Sequence, residues 1–164
     1  MSVLQRLWSL LKAANIKIDS QANRLCLNTQ KNIWVDKNAI IIKSKFVSGG
    51  EPINIGKKCT LVESQLYGNM CLGDGVHVLG VLLRGNVKIG SYTSIMGPNT
   101  IISSGISEIS IGKYCSIARR VSILASSHCY HRLMTATVGK RLLGKKLRGT
   151  SCSKGPIHIG HDVW

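Results

Sequence analysis

The chain has 164 residues, with 22 Lys and Arg against 7 Asp and Glu, a formal net charge of +15 and a hydrophobic share of 44%. That apolar share excludes a disordered basic tail, and the length fits one domain. Only 5% of residues are aromatic, with a single Phe, which argues against both a stacked-aromatic core and an aromatic platform for single-stranded nucleic acid.

In chain order, Val3, Leu4, Leu7, Trp8, Leu10 and Leu11 recur at three- to four-residue spacing and predict an amphipathic helix over residues 2–14. Lys12 interrupts its apolar run and no small-residue cleavage site follows, so it does not read as a secretory signal. With Arg6 and Lys12 as its charges it reads as a cap on the coils that follow, in preference to a membrane-surface helix. Residues 23–47 (Leu25, Leu27, Ile33, Val35, Ile40, Ile42, Phe46) alternate like short strands and are expected to form irregular opening coils. These two segments make an N-terminal region over residues 1–48, ahead of a main domain over 49–164. No apolar run approaches the roughly 18 residues that span a bilayer, and cytoplasmic residence is the expectation. Cys26, Cys59, Cys71, Cys115, Cys129 and Cys152 never reach C-x-x-C spacing, so free thiols in a reducing compartment are expected.

From residue 50 one phrase recurs: aliphatic, any residue, Ile, Gly, then four residues and another aliphatic. It is read at Ile53-Asn54-Ile55-Gly56 to Leu61, Val87-Lys88-Ile89-Gly90 to Ile95, Ile109-Ser110-Ile111-Gly112 to Ile117 and Ile157-His158-Ile159-Gly160, with Leu72-Gly73 to Val78 as a weaker copy. Aliphatics return every six residues, as in Ile89, Ile95, Ile101 and in Ile111, Ile117, Ile123. That period is neither helical nor plain strand alternation. It predicts an all-β fold, a parallel β-helix in which each short strand sends an aliphatic inward and the glycine permits the corner. Three six-residue faces make a coil of roughly 18 residues. The steps from Ile55 to Leu72 and from Leu72 to Ile89 are close to that length. The step to Ile111 has a small surplus, placed around Ser103 to Glu108, and the step to Ile159 a large one.

The large surplus predicts an inserted loop over residues 129–155. It carries Arg132, Lys140, Arg141, Lys145, Lys146, Arg148 and Lys154 with no Asp or Glu. It reads either as a solvated loop or as a basic wall that attracts phosphates or an anionic glycan. Nucleic acid is not the expected partner, because the charges follow no reading motif. The chain stops at Gly160-His161-Asp162-Val163-Trp164, inside a phrase that normally continues, and a fragment or truncated product is expected.

Taken together, the repeats resemble the hexapeptide-repeat acyltransferases, whose fold is a left-handed parallel β-helix. The stretch from Ile111 through Gly112-Lys113-Tyr114-Cys115-Ser116-Ile117-Ala118 to Ser126-Ser127-His128 is similar to the coil that leads to the active-site histidine in the galactoside, maltose and xenobiotic acetyltransferase branches. The resemblance implies acetyl-CoA as donor, a sugar or surface-polysaccharide precursor as acceptor, and a homotrimer with its site between neighbouring prisms. It implies His128 as catalytic base: an alcohol is a poor nucleophile near neutral pH, and an imidazole can take its proton as the thioester is attacked. His131, Met96 and Asn99 are the acceptor-binding candidates. Met96 falls near the position where the galactoside branch has an acceptor-binding Asn, and His131 reads equally as an ordinary loop residue. Lys145, Lys146 and Trp164 are the candidates for the CoA side.

Several rival readings follow from the same residues. Cys129 beside His128 suggests a covalent acyl carrier, but adjacent residues of an extended chain point to opposite sides. His77, His128 and His131 suggest a metal site of the β-helical carbonic anhydrase kind; their spacing does not match, and no metal requirement is expected. His158 and His161 read as outward polar positions and Cys115 as packing. A non-catalytic β-helical scaffold, or a decayed paralogue, stands as the alternative to an enzyme.

Overall fold

The computed structural model describes residues 32–129 and 151–164. The expected helix over residues 2–14 lies outside them. The strands are short because the chain turns a corner every few residues, and among the described residues they number β1 to β16 in chain order.

One face of the fold is built by β1 (Ile33–Val35), β4 (Ile53–Ile55), β7 (Met70–Leu72), β9 (Val87–Ile89), β11 (Ile109–Ile111) and β16 (Ile157–Ile159), stacked in that order. All their pairings are parallel, and the register runs Ile55, Leu72, Ile89, Ile111, Ile159 up one column. These are the aliphatics that precede the glycine in each phrase. In β4, β7 and β9 both flanking side chains are buried while the middle one faces out, as the two-residue period of a strand requires.

The second face stacks β2 (Ile40–Ile42), β5 (Thr60–Val62), the first half of β8 (His77–Arg84), the first half of β10 (Ser94–Ser103) and β12 (Ser116–Ile117). The third stacks β3 (Lys45–Val47), β6 (Gln65–Tyr67), the second halves of β8 and β10, and β13 (Ser122–Leu124). The result is a three-faced parallel β-helix of about five turns. Residues 33–47, expected to be irregular, form one full coil in register with the next. Inside the prism Ile41, Leu61, Val78 and Ile95 form a fully buried column, each contributing about 1.5–3 kcal/mol relative to exposure.

The corners show why the phrase contains glycine. Gly56, Gly73, Gly90 and Gly112 lie directly over one another, and a Cβ on Gly90 would sit 2.6 Å from the Gly112 carbonyl carbon. Close backbone approach, rather than an unusual φ, demands glycine here. The left-handed residues come two positions later, at Lys58, Gly75, Tyr92, Tyr114 and Asp162, with φ between 54° and 65°. Polar corner side chains satisfy the carbonyls that leave the ladder. Thr93 Oγ1 donates to Gly112 O at 2.7 Å and the Cys115 thiol to Gly160 O at 3.1 Å. Cys115 is buried packing, as expected; the Cys59 thiol next to this column is pushed up by burial.

One aliphatic departs from the six-residue series. Ile102 is buried and Ile101 is 37% exposed. Between the halves of β8 only Gly80 turns the corner, whereas residues 97–99 occupy the same place in β10, where the register shifts. The two extra residues lengthen the step between inward aliphatics from five (Val78 to Leu83) to seven (Ile95 to Ile102), past the six-residue position at 101. The small surplus is therefore divided between this corner and residues 104–108, rather than lying wholly around Ser103 to Glu108 as the spacing predicts.

Candidate functional site

Following β13, Ala125 is buried and its N–H donates to Ser103 O at 3.1 Å, the last bond that ties this coil to the one below. The chain then leaves the stack. β14 (Ser127–His128) pairs antiparallel with β15 (Ser151–Cys152), Ser127 opposite Cys152 and His128 opposite Ser151. Beyond β15 the Ser153 hydroxyl donates to Ala125 O at 2.5 Å and accepts the Gly155 N–H at 3.1 Å. The excursion thus begins and ends on one small ribbon, and His128 sits on it, exposed to solvent.

The two strands of the ribbon are also joined covalently. Cys129 and Cys152 form a disulfide with their Cα atoms 5.2 Å apart. This corrects the expectation of free thiols at these two positions. Pairing of β14 with β15 brings together cysteines 23 residues apart in sequence, a proximity that spacing alone does not reveal. It also ties up the sulfur on which the covalent rival depends. Cys59, Cys71 and Cys115 are free.

Of the other candidates, His131, Lys145 and Lys146 lie outside the described residues. Met96 stands half-buried on the outside of the second face, with Leu79 as its ladder neighbour. Asn99 is exposed at the corner between the second and third faces, with φ 64°. Trp164 is 99% exposed beside Val163, whose carbonyl accepts the Ser116 N–H at 2.9 Å. It borders an apolar concavity of about 390 Å³ lined by Ile117, Ala118, Val121, Ile123 and Ile159. Met96, Asn99 and His128 do not line that concavity, so one chain does not gather the candidates into a single cleft.

Among the described residues no three His, Cys, Asp or Glu side chains are placed to hold a metal ion. His77 faces out from the second face. His158 and His161 are outward, as expected, but both have partners. His158 Nδ1 lies 2.6 Å from the Ser110 hydroxyl, and His161 Nδ1 accepts the Lys113 N–H at 2.9 Å. His161 belongs to a corner pattern: Asp74 Oδ1 accepts the Lys57 N–H at 2.7 Å and Ser91 Oγ the Asp74 N–H at 3.1 Å. The signal was present in the sequence, since each acceptor follows the glycine of its phrase. Near the third corner Glu108 and Lys88 pair at 2.8 Å. The hydrogen bond from Lys88 holds the Glu108 carboxyl below the usual carboxylate range, and the same bond holds the ammonium above its usual value. Tyr92 and Tyr114, on successive corners, stack with centroids 5.5 Å apart.

No family model, curated protein or solved structure matches this chain.

Proposed function

We propose that the protein is an acetyl-CoA-dependent O-acetyltransferase acting on a hydroxyl of a sugar or surface-polysaccharide precursor, with His128 as general base. The observation that carries this reading is the location of His128: solvent-exposed, on a ribbon cross-linked to its return strand, at the point where a regular coil gives way to a basic excursion. An imidazole so placed can take the hydroxyl proton while the oxygen attacks the thioester carbonyl. The tetrahedral intermediate then expels the CoA thiolate, which recovers the proton from the imidazolium. The excursion supplies cations for the CoA phosphates through Lys145 and Lys146. The apolar concavity beside Trp164 has the surface chemistry a pantetheine arm needs. Because Met96, Asn99 and His128 do not line the concavity beside Trp164, the reading includes a homotrimer in which neighbouring chains complete one another's sites, within the cytoplasm where acetyl-CoA is made. It requires no metal.

The absence of Met96, Asn99 and His128 from that lining also favours the second reading, a non-catalytic β-helical scaffold. A panel of neutral and acidic oligosaccharides incubated with acetyl-CoA separates the two. The enzyme reading expects thiol release and an O-acetyl ester on at least one acceptor by mass spectrometry. Hydrolysis no faster than without protein, across the panel, supports the scaffold.

A further inference from the structure

The ribbon that carries His128 is the smallest pairing in the fold. β14 and β15 contribute two residues each, and in the described sheets each pairs only with the other. A two-residue antiparallel pair has little stability of its own in water. Two further ties hold it: the Ser153 hydroxyl on Ala125 O at 2.5 Å, and the Cys129–Cys152 disulfide. Cys129 is the residue next to His128, and Cys152 lies opposite Ser127. Both cysteines are half-buried, within reach of a small thiol, whereas Cys59 and Cys115 are buried in the corner column.

We infer that Cys129 and Cys152 are positioning residues whose disulfide fixes His128, so that acetyl transfer depends on the redox state of this pair. The inference rests on the general-base reading of His128 for its effect on rate, and on the ribbon alone for its effect on His128. Reduction by a dithiol is balanced. One reagent thiolate attacks a sulfur of the pair and breaks the S–S bond, and the second closes the reagent's own disulfide. The protein takes up two electrons and two protons and holds two thiols. Among the described residues the ribbon is then held by the short ladder and the Ser153 hydroxyl, and the imidazole loses its fixed place. In a reducing compartment a disulfide of this kind is characteristic of transient or sensing pairs.

The experiment compares air-oxidised protein, the same protein treated with dithiothreitol, and the Cys129→Ser/Cys152→Ser variant, with Cys71→Ser as background to remove the exposed thiol. Circular dichroism checks that the coils persist. Reduction is expected to lower kcat roughly tenfold to a hundredfold with the KM for acetyl-CoA little changed, reversibly on reoxidation. The double serine variant should match the reduced protein and ignore dithiothreitol. A second readout needs no activity: the rate at which diethyl pyrocarbonate modifies His128, followed by mass spectrometry, should change severalfold between the two states. Equal kcat and equal His128 reactivity in both states overturn the inference, as does oxidised protein in which all five remaining cysteines titrate as thiols. Absence of transfer in every state, with the reactivity change intact, overturns the general-base reading and leaves the positioning role standing.

Discussion

At Gly90 a methyl group has nowhere to go. The atom it would meet at 2.6 Å is the Gly112 carbonyl carbon, part of the next coil's backbone, and a parallel ladder cannot open at one rung without losing its neighbours. At Gly160, the same position of the phrase, a Cβ meets nothing within 4 Å. Gly90→Ala is expected to cost about 1–3 kcal/mol by urea unfolding, after the small gain from a stiffer unfolded chain. Gly160→Ala should stay within about 0.5 kcal/mol. Equal effects at the two sites would contradict the stacked-glycine account of the corner. Side-chain acceptors act at the same scale. The hydroxyl of Thr93 and the imidazole of His161 take up backbone groups that the strands leave unpaired, which lets the coil turn within a few residues.

For the strands, the aliphatic column from Ile55 to Ile159 was legible because the glycine that follows each member marks the corner, and the corner sets the register. The slip to Ile102 was not legible. Ile101 and Ile102 are identical in type, and only the partner coil, with Gly80 alone at its corner, shows which one points inward. The ribbon of β14 and β15 was hidden for a related reason: two-residue strands carry no periodicity, so neither the pairing nor the disulfide it permits leaves a pattern. What the sequence does show of the excursion is charge. If it forms the approach for the donor phosphates, Lys145→Glu combined with Lys146→Glu should raise the KM for acetyl-CoA severalfold, and more at low salt, where screening over about 10 Å no longer masks the reversal. A KM unchanged at both ionic strengths would make the loop a solvated one.

Across the molecule, the three faces enclose a mostly aliphatic interior. The fold was readable from one phrase and its spacing. The candidate site was readable only as an order of residues along the chain, since the repeat says which coil ends at His128 but not which faces meet it. Met96 lies on the second face, Asn99 at a corner and His128 on its ribbon, and of the four described candidates only Trp164 lines the apolar concavity. The proposed chemistry therefore depends most on His128 itself. The most direct measurement is acetyl transfer by His128→Ala beside the wild-type protein, on whichever acceptor the oligosaccharide panel identifies. Loss of a general base predicts a fall in kcat of roughly 10²–10⁴-fold with an unchanged melting transition, because the side chain is exposed. An alanine variant that transfers acetyl groups at the wild-type rate would contradict it.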